Sequence, residues 1–225
     1  MRAGTLPLVL VALLPALPAA AGVIRGTVWM DRSVAALVHK STPAADIVRA
    51  QRGVDEGVVW VESVPGAVER KLAHRGFSLF FWRRRPVHVP TIVQAGRQFD
   101  PHVMVVTAGT DVEFRNLDTV YHNAFSVSAA NRFDLGKYPP GRADTVAFPR
   151  AGVVNLHCDI HPEMLGFVVV TPNHVYARPD STGAFELPRL PPGRYTLHAW
   201  QPRRGELKRT IELPKQGDAV VDLRF

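Results

Sequence analysis

The sequence predicts an all-β protein, and three observations carry that expectation. Short runs rich in Val, Ile, Phe and Thr recur along the chain, from "GVIRGTVW" at residue 22 to "AVVDLRF" at residue 219, and such residues suit a pleated, half-buried surface. The 225 residues include 19 prolines and 17 glycines, enough to end each run in a tight turn. Candidate helices are few and short.

The opening "MRAGTLPLVLVALLPALPAAAG" stands apart from these strands. It has a charge at Arg2, an apolar stretch from Leu6 to Leu17, and small residues Ala19, Ala20 and Ala21. That is the layout of a secretory signal peptide over residues 1–21, with a mature start near Gly22. A membrane anchor is the competing reading, but the apolar run is short for a span of roughly 20 residues and is broken by Pro7, Pro15 and Pro18. A lipid anchor needs a thiol at the new N-terminus, and no cysteine stands directly after the leader. The expectation is a periplasmic or otherwise exported protein, soluble once the leader is removed.

Behind the leader, "GVIRGTVW" and "GVVWVESVPG" read as strands within residues 22–66. Residues 67–89 change character: Arg70, Lys71, Arg75, Arg83, Arg84 and Arg85 surround the apolar run Phe77 to Trp82. The segment Phe77–Arg85 suits contact with an anionic membrane surface or an acidic partner. The alternative is a solvated insertion whose aromatics cover the edge of a sandwich. The run is too short to cross a bilayer. Between residues 90 and 172, "VPTIVQAGRQFDPHVMVVTAGTDVEFRNLD", "FDLGKYPPGRADTVAFPRAG", "GVVNLHC" and "LGFVVVT" are strand-like. From 173 to 225, Asp180 and Gly183 mark a turn, "LPPGRY" leads into an alternating strand, and "LKRTIELP" and "AVVDLRF" supply two more.

Formal net charge is +7, or about +6 once Arg2 leaves with the leader. That balance suits acidic redox partners or membrane surfaces. Nucleic acid is a poor fit for an exported chain without a recognition motif.

The chemistry gathers in "CDIHPEM", residues 158–164, which holds the only cysteine. Cysteines in an oxidising compartment usually pair, so a single thiol needs another explanation. Cys158, His161 and Met164 sit three residues apart on a loop between two strands. Two imidazoles, a thiolate and a long axial thioether are the set that a mononuclear blue-copper site uses. The second imidazole must come from elsewhere, and His122, opening a strand-like segment after a polar turn, is the best candidate. Pro162 fixes one backbone angle and stiffens the loop. Two bland readings compete: a small buried cysteine beside unrelated histidines, and zinc, for which a thioether is a poor ligand. His157 alternates to the face opposite Cys158. His102, His174 and His198 lie apart in sequence and read as surface or core residues.

These residues resemble the cupredoxins, the small blue-copper electron carriers. "LHCDIHPEM" is similar to the ligand loop of the amicyanin and plastocyanin-like members, and the upstream "HN" also matches. The resemblance covers roughly residues 90 to 172. It implies a Greek-key β-sandwich with one type 1 copper held by His122, Cys158, His161 and Met164. It also implies that Asn123 ties the two ligand-bearing segments together. His161 is then the electron port, with Pro162 and Leu165 in its apolar frame, from which Asp159 and Glu163 depart. Residues 173–225, with their Asp-Gly turn and "LPPGRY", resemble the carboxypeptidase regulatory-like, or transthyretin-like, β-sandwich. That segment alone is too short for a complete sandwich. "GVIRGTVW" and "GVVWVESVPG" are expected to complete it around an inserted cupredoxin, the alternative being that they extend the cupredoxin sheet. With its leader, the whole resembles exported cupredoxin proteins of the methylamine-utilization type.

The resemblance implies a carrier, not an enzyme, shuttling single electrons between acidic redox proteins such as a cytochrome or a dehydrogenase. Two alternatives stay open: a copper-binding module for copper handling or assembly, and a catalytic copper oxidoreductase. Copper nitrite reductases bind a second copper through a histidine beside the type 1 cysteine, the position of His157, but that design needs histidines from another cupredoxin domain. No His-x-His pair of the kind multicopper oxidases use is present.

Overall fold

A computed structural model describes residues 21–30, 56–73 and 89–225. Residues 1–20 of the expected leader and the basic aromatic stretch Phe77–Arg85 lie outside the described residues. The protein is all-β, with one helix among the described residues. Strands β1 (Ile24–Trp29) and β2 (Val58–Val61) and helix α1 (Gly66–Ala73) come first. A central block follows: β3 (Thr91–Ala95), β4 (Gln98–Asp100), β5 (Val103–Thr107), β6 (Thr110–Asn116), β7 (His122–Ser126), β8 (Phe133–Tyr138), β9 (Ala143–Phe148), β10 (Gly152–His157) and β11 (Leu165–Thr171). The chain closes with β12 (Tyr176–Ala177), β13 (Ala184–Glu186), β14 (Gly193–Gln201), β15 (Gly205–Leu213) and β16 (Ala219–Arg224).

The central block folds on itself into two sheets, ordered β4-β3-β6-β9 and β5-β11-β10-β7-β8. Period-two alternation sends one side of each strand inward. Ile92, Val112, Phe114 and Phe148 from the first sheet meet Met104, Val106, Val154, Leu156, Val168 and Val170 from the second in one core.

Strands β1 and β2 precede that block but pair with strands that follow it. β1 lies between β13 and β16, with Arg25 opposite Glu186 on one side and Val220 on the other. β2 lies between β12 and β14, with Trp60 opposite Tyr176 and His198. The resulting sheets, β13-β1-β16 and β12-β2-β14-β15, enclose a second core around Ile24, Val59, Val61, Leu197 and Leu223. At Gly26 in β1 an added Cβ would lie 1.8 Å from the Val221 carbonyl oxygen, so the close approach of β1 to β16 demands glycine.

The two sandwiches stack. In β2, Val59 and Val61 face the outer core, while Val58 and Trp60 face the other way. They meet Trp200 of β14, Val103 of β5, and Phe167 and Val169 of β11 in a third apolar cluster. This explains why "VVWV" and "VVVT" are nearly continuous apolar runs: these strands are covered on both faces. Phe167 and Trp200 pack edge to face with ring centres 5.1 Å apart. At the rim of the cluster, His102 Nδ1 lies 2.8 Å from Glu56 Oε1 and Arg178 donates to the Val103 carbonyl at 3.2 Å.

Helix α1 packs Val68 and Leu72, one turn apart, against the outer core. Its Glu69 carboxylate accepts from the His174 backbone N–H at 3.0 Å.

Candidate metal centre

Strands β7 and β10 are neighbours, with His157 opposite Phe125. His122 opens β7 and Cys158 follows β10, so the pairing brings both to one end of the sheet. The loop from β10 to β11 returns past them with His161 and Met164. Inward positions continue from Val154 and Leu156 to Cys158, whereas His157 turns outward and packs on Phe125, ring centres 5.6 Å apart.

His122, Cys158 and His161 form a group whose ligand atoms lie within 4.8 Å of one another. Cys158 Sγ is 4.0 Å from His122 Nδ1 and 3.8 Å from His161 Nδ1, and the two Nδ1 atoms are 3.1 Å apart. Three donors around one metal with bonds of about 2.0–2.3 Å would be spaced by roughly 3.5–4.0 Å in a trigonal plane. The observed triangle fits, slightly compressed on its nitrogen edge. His122 is wholly buried and Cys158 and Met164 nearly so, while His161 is half-buried. Met164 shares the inner core with Cys158, and its N–H donates to the His161 carbonyl at 2.9 Å, closing the loop.

Asn123 links the two segments that carry His122 and Cys158 through its main chain. Its N–H donates to Cys158 Sγ at 3.4 Å. Its side chain runs elsewhere, donating to Asp134 Oδ1 at 3.1 Å, while its carbonyl accepts from Gln94 Nε2 at 2.9 Å.

One participant carries a signal that sequence reading passed over. Asp118, four residues before His122, accepts from His122 Nε2 at 2.7 Å. Burial pushes the Asp118 carboxyl up, but the Arg97 N–H, the His122 ring and the Gly96 N–H together outweigh it and hold the group below its ordinary value. A carboxylate four residues ahead of a candidate imidazole ligand, in "NLDTVYHN", is the pattern that would have found it. Apart from His157 on Phe125, the other described histidines face carboxylates: His102 meets Glu56, His174 meets Glu69, and His198 lies between Glu206 and Glu62. Among the described residues, His122, Cys158 and His161 are the one group of three or more His, Cys, Asp or Glu side chains placed so that they could hold a metal ion.

No protein-family profile matches the chain. No curated protein matches it either. Among solved structures, it is similar to a copper-containing nitrite reductase from Thermus scotoductus SA-01, at 29% identity and TM-score 0.35 over 36% of this chain. The chain spans only 22% of that reductase's length. A reduced amicyanin variant is similar at 26% identity and TM-score 0.35, over 37% of this chain and 82% of its own. A purple cupredoxin from Nitrosopumilus maritimus is similar at 23% identity and TM-score 0.33, over 36% of this chain and 99% of its own.

Proposed function

We propose that the protein is an exported type 1 copper protein that passes single electrons between redox partners. The observation that carries this reading is the convergence of His122 Nδ1, Cys158 Sγ and His161 Nδ1 beside a buried Met164. These four residues would hold the metal, and soft sulfur donors with two imidazoles suit copper better than zinc. Copper bound there supplies one-electron chemistry between its two oxidation states.

The chain's own residues set the conditions for that transfer. Cys158, close to two imidazoles and accepting the Asn123 N–H, would bind as a thiolate, its proton displaced by the metal. His122 is sealed in the core, so it cannot swing out when the charge at the site changes. His161 would bind through Nδ1, and the far edge of its half-buried ring would be the route by which an electron enters or leaves. Leu165 at the end of the ligand loop, and Leu117, Val120 and Tyr121 on the loop into His122, are exposed apolar residues at the same end. They form a dry rim for a partner, while the positive net charge favours an acidic protein such as a cytochrome or dehydrogenase. Phe77–Arg85 would add contact with a membrane surface. We also assign the paired strands before and after the central block to a transthyretin-like sandwich that carries the cupredoxin as an insertion.

Film voltammetry of the copper-loaded chain, with a chelator challenge in parallel, tests the proposal. A reversible one-electron wave and copper that resists the chelator support a carrier. Rapid loss of copper to the chelator without a reversible wave would move the function to copper handling. More than one copper bound per chain would move it to catalysis.

A further inference from the structure

We infer that Asp118 is a positioning residue of this site: the β3–β4 turn holds its carboxylate against His122 Nε2, fixing the ring and favouring the oxidised, more highly charged metal. The inference rests on the copper reading proposed above and concerns a residue outside the ligand set.

A carboxylate only accepts hydrogen bonds, so the 2.7 Å contact places the proton of neutral His122 on Nε2. The lone pair is then on Nδ1, the nitrogen that faces Cys158 Sγ and His161 Nδ1. The tautomer needed for metal binding is set before any metal arrives.

Asp118 is itself held. Gly96 N–H donates to Oδ1 at 2.6 Å and Arg97 N–H donates to Oδ2 at 2.9 Å. These two residues form the turn between β3 and β4, with φ of 58° and 56°. Left-handed φ at both central positions is the two-residue hairpin turn that suits the twist of paired strands. Glycine adopts it freely, but Arg97 does so at a steric cost. That conformation aims two consecutive N–H groups at one carboxylate, an anion-holding nest. On the other side, the Asp118 N–H donates to Asn116 Oδ1 at 3.0 Å, and Asn116 Nδ2 donates to the Val120 carbonyl at 2.8 Å. The carboxylate is therefore braced from two strands, with its charge one imidazole away from the metal position. A fixed negative charge there attracts a doubly charged ion more than a singly charged one, and a carboxylate on the remote nitrogen makes the imidazole a stronger donor.

The competing role is purely structural, with Asp118 pinning the β3–β4 turn to the loop before β7. The two roles differ in one observable. A structural loss weakens both oxidation states alike, whereas loss of the charge weakens Cu(II) binding more. The experiment measures Cu(I) and Cu(II) affinities and the reduction potential for the full chain, Asp118→Asn and Asp118→Glu. For Asp118→Asn we expect about tenfold or greater selective loss of Cu(II) affinity, raising the potential by about 59 mV for each tenfold. Asp118→Glu should restore part of both. Equal losses with an unmoved potential would overturn the inference and leave the copper reading standing. A wild-type chain without an intense thiolate-to-copper band would overturn both. Should the variants fail to fold, nitrogen-15 NMR of the metal-free wild type decides: a proton on His122 Nε2 supports the assignment, and one on Nδ1 overturns it.

Discussion

In the central sandwich, His122 meets a carboxylate through one ring nitrogen and turns the other toward a cysteine and a second histidine. In the outer sandwich, His198 is also buried, but Glu206 sits on its Nδ1 and Glu62 lies 3.5 Å from its Nε2. It also stacks on Trp60, ring centres 5.1 Å apart. Burial alone therefore does not separate a candidate ligand histidine from a structural one. What separates them is what the second ring nitrogen meets: a thiol and another imidazole in the central sandwich, and the exposed carboxylate of Glu62 at 3.5 Å in the outer one.

The largest effect should come at the cluster where the two sandwiches meet. Trp200→Ala removes the ring that packs on Phe167, and such truncations in a core cost about 3–5 kcal/mol. Denaturant melts should show both sandwiches weakened together; a central sandwich that keeps its full stability would mean that the two fold independently. Next, His122→Ala should reduce copper affinity by more than about 100-fold, beyond the effect of losing an outer partner. His198→Ala should leave copper affinity unchanged within about twofold while destabilising the fold by about 1–3 kcal/mol, since it removes a buried ring stacked on Trp60. Comparable copper loss in the two variants would erase the distinction between the sandwiches.

The smallest effect concerns the rim of the shared cluster. The hydrogen bond from His102 is the largest influence on Glu56, and with nearby Arg203 and Arg178 it holds the carboxyl below its ordinary value. A carboxyl whose folded pKa is depressed stabilises the fold above its unfolded pKa and loses that contribution as pH falls through the folded one. Glu56→Gln should therefore cost below about 1 kcal/mol near neutral pH and flatten the acid side of the stability profile. An unchanged profile would show that the contact does not couple to folding.

The all-β class was legible because the runs of Val, Ile and Phe and the density of turn residues state it locally. Cys158, His161 and Met164 were legible because their spacing is local too, and His122 because a strand-like segment begins at it. Helix α1 left a weak trace: only Val68 and Leu72 mark its inner face, and its hold on the fold comes from packing and from Glu69. Asp118 escaped for a different reason. Its role depends on the backbone of the Gly96–Arg97 turn, more than twenty residues earlier, and no local pattern announces that two N–H groups of one hairpin will meet a carboxylate on another loop. Asn123 shows the same limit, since its link to Cys158 runs through a main-chain N–H that every non-proline residue possesses.

The central claim is that Cys158, with His122, His161 and Met164, holds one type 1 copper. Visible absorption and electron paramagnetic resonance of the mature chain, titrated with Cu(II) beside Cys158→Ala, test it most directly. The account predicts an intense visible band and a narrow copper hyperfine splitting at one equivalent, both lost in the variant. A colourless wild type, or a copper signal that the substitution leaves unchanged, would contradict it.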